Sequence, residues 1–296
     1  MIYAFIASQE RDYPVQMLCE VLEVARSGYY AWQRHGPSVR QQHDDALTNK
    51  IEAIFQDSQK TYGSPRVIHE LYKKGYHPSR KRVARLMAKK GLIARPKPRF
   101  RVTTQADPSR QASPNLLARD FYAPAPNQKW VSDITYLPTD EGDVYLAVIL
   151  DLFSRRVVGW SMQLTLAAEV AIQALDSAIQ SRQPTAALLI HSDRGSQYTA
   201  GDFRSMLADF DFTQSMSRKG NCWDNAVVES FFATLKKECV YRQHFATREQ
   251  MKQEVFKYIE TFYNPKRLHS TLDYVSPIEF ENLYLAISTV HKTGQV

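Results

Sequence analysis

Cysteine is scarce in this chain and never clustered: Cys19, Cys222 and Cys239 are the only three, with no C-x-x-C pair among them. That pattern argues against a structural zinc unit and points to a reduced, cytosolic setting. Long apolar runs are absent as well. No segment approaches the roughly 20 apolar residues of a membrane helix, and Met1–Ile6 is soon followed by Glu10, Arg11 and Asp12. Neither a signal peptide nor a membrane span is expected, which leaves the cytosolic setting as the expectation. A sustained heptad pattern is also lacking, so the chain carries no coiled coil of its own. The most telling gap is one of charge sign, because Lys73 to Arg101 holds twelve Lys/Arg and no Asp or Glu.

What is present fits two domains. At 296 residues and 44% hydrophobic, the chain is long enough for a sizeable core and too apolar for global disorder. The net charge of +7 is uneven: residues 1 to 110 carry net +10 and residues 111 to 296 carry net −3. A polyanion-binding front end ahead of a separate body is the simplest organisation. Within the front end, Pro65 opens a helix with Ile68, Leu71 and Tyr72 at core spacing, and Gly75 to Pro78 forms a turn. Ser79 then caps a second helix, with Val83, Leu86 and Met87 on one face and Gly91 at its end. This is a helix-turn-helix pattern whose second helix presents Arg80, Lys81, Arg82, Arg85, Lys89 and Lys90 to DNA. A preceding helix through Leu47, Ile51, Ile54 and Phe55 completes a three-helix unit, and Val15 to Trp32 adds a small helical element with no evident duty.

The expected domain boundaries are 1–38 for that N-terminal helical segment and 39–101 for the helix-turn-helix. A linker rich in Pro108, Pro114, Pro124 and Pro126 follows at 102–126, then a catalytic body at 127–285 and a C-terminal tail at 286–296. In the body, Lys129 to Leu137, Val144 to Leu150 and Arg156 to Met162 read as a meander of three strands. A helix at Ala167 to Ser181, a buried strand ending at Asp193, a helix near Phe203 to Leu207, a strand near Phe212 to Met216 and a last helix with Glu229 follow. The order βββαβαβα is that of the ribonuclease-H-like fold, an α/β architecture that sets the first strand beside the strand ending at Asp193. Three carboxylates, Asp133, Asp193 and Glu229, thus come from two strands and a helix. Such a set suits a pair of Mg²⁺ ions, since hard cations prefer carboxylate oxygens and two of them about 4 Å apart stabilise both oxygens of a phosphodiester exchange.

Singly, each acid has an ordinary alternative: a turn or cap residue at a strand end, or a solvated helix position. His191 and His269 are expected in packing or hydrogen-bond duty, Trp223 as a packing anchor, and Ser217 to Asn221 as a mobile loop touching phosphate through Arg218 and Lys219.

The flanking residues make the reading specific. Asn127-Gln128-Lys129-Trp130 with Asp133-Ile134-Thr135-Tyr136, then His191-Ser192-Asp193-Arg194-Gly195-Ser196-Gln197-Tyr198, then Asn221-Cys222-Trp223-Asp224-Asn225-Ala226 with Glu229, resemble the catalytic blocks of DDE transposases of the insertion-sequence-3 group. Tyr62, Gly63, Pro65 and Arg66, and the tail Tyr263, Asn264, Arg267, His269, Ser270, Leu272, Ser276 and Pro277, extend the resemblance over nearly the whole chain. Leu268 and Asp273 depart from it, standing where Pro and Gly are expected. The resemblance implies a metal triad of Asp133, Asp193 and Glu229, two Mg²⁺ ions with Mn²⁺ as a substitute, and a DNA-contacting Lys236 two helical turns beyond Glu229. It further implies double-stranded DNA partners, namely terminal inverted repeats and target, a homo-oligomer on DNA, and an upstream-frame protein or frameshift fusion.

Three rivals are less economical. A DNA-binding protein without catalysis would have no need of all three carboxylates and Lys236. A retroviral-type integrase would begin with a His/His/Cys/Cys unit, and a simple ribonuclease H would not need the basic front end.

Overall fold

The structure, a computed structural model, describes residues 2–35, 38–94, 113–184, 187–218 and 222–293. It divides into two compact units, Met1–Ala94 and Arg95–Val296. In the first unit, helices α1 (Ile2–Gln9), α2 (Val15–Val21) and α3 (Arg26–His35) precede α4 (Val39–Asp57), α5 (Ser64–Lys73) and α6 (Arg80–Lys89). The expected helix-turn-helix is α5–turn–α6. Pro65 sits in the first turn of α5, the Ser79 hydroxyl accepts from the Arg82 amide at 3.3 Å, and Gly91 takes the left-handed conformation (φ +66°) that ends the chain's helical run. Val67, Ile68 and Leu71 of α5 and Val83, Leu86 and Met87 of α6 are buried, as are Leu47, Ile51, Ile54 and Phe55 of α4.

The second unit is built on a five-stranded sheet in the order β3-β2-β1-β4-β5, with β1 (Lys129–Leu137), β2 (Val144–Asp151), β3 (Val157–Gln163), β4 (Leu189–Ser192) and β5 (Thr213–Met216). β1 to β3 are antiparallel neighbours, while β4 lies parallel to both β1 and β5. Helices α7 (Ala168–Arg182) and α8 (Gly201–Asp209) bury Val170, Ala174, Leu175, Phe203 and Leu207 against Trp130, Ile149, Ile190 and Met216 of the sheet. α7 comes so close to β3 that a Cβ on Gly159 would strike the backbone at Ala174 and Ala178. On the other face, α9 (Ala226–Glu238) packs over β1 and β2. The five strands and their flanking helices are the ribonuclease-H-like α/β core expected from the element order.

Two boundaries differ from expectation. Residues 113–126, assigned to the linker by their prolines, are strapped to the sheet: Leu116 and Leu117 amides donate to the Ser215 hydroxyl at 2.9 and 3.1 Å, and Leu117 and Ala123 are buried. Proline suits a segment that runs beside β5 without joining the ladder, so linker composition and packed strap look alike in sequence. The C-terminal tail set at 286–296 is helical as far as Thr293, within α11 (Pro277–Thr293). The N-terminal helical segment expected at 1–38 consists of α1, α2 and α3. Among the described residues, no helix is long and apolar enough to cross a membrane.

The tail motif is structural. α10 (Arg248–Lys257) runs into a π-helical turn, Tyr258–Tyr263, after which the Asn264 side chain accepts from the Val157 amide at 3.0 Å and donates to the Val157 carbonyl at 2.9 Å. It thereby pairs the free edge of β3 as a neighbouring strand would. Asp273, where glycine was expected, has φ +51°, a conformation that aspartate tolerates better than most residues.

Candidate active site

Strand alternation decides which face carries the acids. Trp130 and Ile134 of β1 and Ile190 of β4 face the α7 side, so Asp133 and Asp193 belong to the opposite face, under α9. The parallel register pairs Lys129 with Leu189, Trp130 with Ile190 and Val131 with His191. Continued for two residues, that register sets Asp193 beside Asp133. Both carboxylates are half-buried and each is anchored locally: Asp133 Oδ1 accepts from the Ile134 amide at 2.8 Å, and Asp193 Oδ1 from the Gly195 amide at 2.9 Å. Gly195 is tightly enclosed, since a Cβ there would lie 3.0 Å from Asp193 Oδ1.

Burial is the main force on all three acids. It pushes the Asp133 pKa well above the ordinary carboxylate value, and the charges of Asp193 and Glu229 raise it further. Asp193 and Glu229 are raised by burial too. Three carboxylates raised chiefly by burial, with Asp133 raised further by its two acidic neighbours, form a site that favours added positive charge. Lys236, two turns along α9 from Glu229, is half-buried with its Nζ 4.8 Å from the Tyr136 ring centroid. Burial lowers its pKa, while Asp133 and Asp143 pull it upward. Among the described residues no group of three His, Cys, Asp or Glu is gathered closely enough to hold an ion as it stands. The donor set nevertheless fits hard divalent cations, which take carboxylate oxygens and would relieve the repulsion at Asp133.

Beneath the acids, the Ser132 and Tyr198 hydroxyls lie 2.9 Å apart, and the Asn225 amide donates to the Ser132 carbonyl at 3.2 Å, tying the entry to α9 onto β1. His191 is fully buried, with Nδ1 2.8 Å from the Ser215 hydroxyl and Nε2 3.1 Å from that of Ser217. The hydrogen-bond duty expected of it is what the structure displays; burial lowers its pKa to about 4.

Asp224 had no role in the sequence reading, although it lies in the third motif block. It is fully buried, and its carboxylate receives Arg218 through the amide, Nε and Nη2 at 2.9–3.0 Å, Arg119 at 2.9 Å and Asn115 at 2.8 Å. The Arg218 side chain and amide hold its pKa far below the carboxylate range, with Arg119 adding to them. Arg218, expected on phosphate, is thus a staple joining the loop after β5 to the entry of α9. Lys219 lies outside the described residues, as do Gly220 and Asn221 and the side chain of Trp223.

On α6 the six expected contacts also divide. Arg82 and Arg85 grip the buried Asp44 of α4 at 2.7 and 2.6 Å, and Lys90 pairs with Glu52 at 3.2 Å. Arg80, Lys81 and Lys89 are exposed. Asp44 lies 38 and 41 residues before its two arginine partners and next to a second acid, Asp45, so nothing in the local sequence announces the pairing.

Comparison with known proteins agrees with this geometry. Integrase core domain models match residues 123–222 and 229–285, and an HTH-like domain model matches 42–100. Transposase InsF for insertion sequence IS3A from Escherichia coli (strain K12) is 44% identical over 288 residues, 97% of this chain and 100% of that protein. The insertion element IS600 uncharacterized 31 kDa protein of Shigella sonnei is 42% identical over 267 residues, covering 90% and 98% of the two chains. Among solved structures, the simian T-cell lymphotropic virus intasome in complex with PP2A regulatory subunit B56 gamma matches with a TM-score of 0.46 at 16% identity, over 72% of this chain and 70% of that one.

Proposed function

Because this chain belongs to the insertion-sequence-3 group of transposases, we propose that its core cuts and joins DNA strands at Asp133, Asp193 and Glu229, and that the front end brings it to the element ends. One observation supports the reading: Asp133 on β1 and Asp193 just past the end of the parallel neighbour β4, with a glutamate whose charge reaches Asp133, make a half-buried acidic site in which Lys236 is the cation acting on Asp133. The three carboxylates would hold two Mg²⁺ ions, or Mn²⁺ in their place, whose charge stabilises the attacking and leaving oxygens of an in-line displacement.

The chain's own groups do the positioning. The Ile134 and Gly195 amides fix the Asp133 and Asp193 carboxylates, and the Asp224 staple holds the entry to α9 and so the placement of Glu229. Lys236 leaves the Tyr136 ring for a phosphate of the bound end. In cleavage a water oxygen bonds to phosphorus as the bond to the 3′-oxygen breaks, leaving a 3′-hydroxyl and a 5′-phosphate. In joining, that 3′-hydroxyl replaces water and displaces a 3′-oxygen of the target. No covalent link to the protein is needed. An element has two terminal inverted repeats, so a homo-oligomer holds both, with an upstream-frame protein or frameshift fusion supplying the dimerisation segment this chain lacks.

The test is nicking of a labelled element end in Mg²⁺, with Ca²⁺ as a binding-only control. Asp133→Asn, Asp193→Asn and Glu229→Gln should each lower cleavage by roughly three orders of magnitude or more while end binding persists, and the triple variant should be little worse than the worst single. Near-normal nicking by Glu229→Gln would remove that residue from the site and favour a DNA-binding protein without catalysis.

A further inference from the structure

Ahead of α4 stands a second compact trio, α1–α3, for which neither the catalytic core nor the α4–α6 unit has a use. Each helix gives one buried residue to a common core, Ile6 from α1, Cys19 from α2 and Tyr29 from α3, ringed by Tyr3, Val15, Leu18, Leu22 and Val24. α2 and α3 are joined by only four residues, Leu22–Ala25. Glu23 turns the chain there with φ +52°, and the Val24 amide closes the end of α2 on the Cys19 carbonyl at 2.9 Å. α1 crosses α3 at Gly28, where any Cβ would strike the Tyr3 hydroxyl, and the Tyr29 hydroxyl donates to Glu10. Helix, short helix, tight turn, helix is the same plan as α4–α6.

The charges are sorted by side. Glu10 and Asp12 follow α1, Glu20 lies on α2 and Glu23 in the turn, whereas from Val24 to His43 there is no acid at all. α3 begins with Arg26, whose guanidinium meets Gln16 of α2 at 3.2 Å, and ends near Arg34. With Tyr29 and Gly28 turned to the core, Ser27, Tyr30 and Arg34 recur at i, i+3 and i+7 along the exposed side. Eight residues of helix rise separate Arg26 from Arg34, about 12 Å along the axis. Laid in the major groove, which is wide enough to admit a helix, that length brings Arg26 and Arg34 to phosphates near its two ends with Ser27 and Tyr30 toward base edges between them.

We propose that α1–α3 is a second helix-turn-helix that binds duplex DNA through the Arg26–Arg34 face of α3, so that one chain reads two separate stretches of an element end. This rests on the reading of the protein as one that binds element ends. A trio of this size has little core, and linkage to α4–α6 raises the effective concentration at its own stretch.

The experiment is hydroxyl-radical footprinting of the full chain on a labelled element end in Ca²⁺, with binding measured over a range of salt. Wild type should protect two separated segments. The combined Ser27→Ala, Tyr30→Ala, Arg34→Ala variant should lose one of them and about tenfold in affinity, while Arg80→Ala with Lys81→Ala should lose the other. Arg26→Gln with Arg34→Gln, which leaves every core residue in place, should reduce the slope of log K against log salt by about 2, at roughly 0.9 per phosphate contact. A single protected segment in wild type, or a slope unmoved by the Gln pair, overturns the proposal. Intact protection with lost self-association also overturns it, in favour of a protein-docking face. A chain that protects both segments but never nicks would refute the catalytic reading and leave this one standing.

Discussion

Between pH 8 and pH 5, above the range where the depressed carboxylates Asp224 and Glu281 take up protons, acid should weaken the core through His191. Its ring is fully buried between two serine hydroxyls, and burial lowers its pKa from 6.5 to about 4. A group whose folded pKa is depressed binds fewer protons in the folded state than in the unfolded one between those two values, so stability falls as pH drops through that window. Linkage gives a loss of about 2 kcal/mol at pH 5 and about 3 kcal/mol at pH 4 relative to pH 8. Asp133, Asp193 and Glu229 act in the opposite sense, because their raised pKa values let the folded state take up protons first and so gain stability on acidification. The His191 contribution therefore appears as a difference. His191→Asn keeps a polar side chain beside Ser215 and does not titrate, so it should be destabilised by about 1–2 kcal/mol at pH 8 through its poorer fit and converge on wild type as the pH falls. Urea transitions followed by fluorescence suit the measurement, since Trp130 is fully buried in β1, whose register pairs it beside β4. Parallel wild-type and variant curves between pH 8 and pH 4 would mean that His191 is not the acid-sensitive group.

Two further outcomes follow from buried ion pairs. Arg267→Met removes the guanidinium from the buried Glu238 at the end of α9, where Arg267 Nε and Nη2 donate at 2.7 and 2.8 Å and the Tyr258 hydroxyl at 2.8 Å remains, and should cost about 3 kcal/mol or more; Arg267→Met with Glu238→Gln should recover part of that loss in thermal unfolding. On α6, Arg80→Ala with Lys81→Ala should reduce the salt slope of end binding by about 2 without lowering the melting temperature, whereas Arg82→Ala with Arg85→Ala should lower it, because Asp44 loses both of its partners.

The core was legible because its signals are local or periodic. Alternation gave β1 to β3, the apolar run before Asp193 gave β4, and the motif blocks singled out the three acids proposed for the site. The α5–turn–α6 unit was legible through Pro65, Ser79 and Gly91, each of which acts on its own neighbouring backbone. What escaped depends on partners far along the chain. Asp224 meets Asn115 and Arg119 from a stretch read as linker, and Asp44 meets Arg82 and Arg85 from another helix. The N-terminal trio escaped for a different reason: helices of 7 to 10 residues show too few repeats for periodicity to separate three from one.

These distant pairs change what the basic residues mean. Arginine binds a carboxylate through two parallel donors, and a buried carboxylate left without that fork is costly, so an acid in the interior draws arginines out of the pool that faces solvent. Asp44 takes Arg82 and Arg85, Asp224 takes Arg218 and Arg119, Glu238 takes Arg267, and Glu281 takes Arg156 and Arg182. Each of these acids is buried, and each ties together segments far apart in sequence or at the mouth of the site. On the helix-turn-helix, Arg80, Lys81 and Lys89 are exposed, and Arg85 and Lys90 remain about half exposed despite their acidic partners, while near the three acids Lys236 stands over the Tyr136 ring. Basic residues counted along the sequence therefore include several that brace the fold, and Arg119 and Arg218 among them hold in place the entry to the helix that carries Glu229.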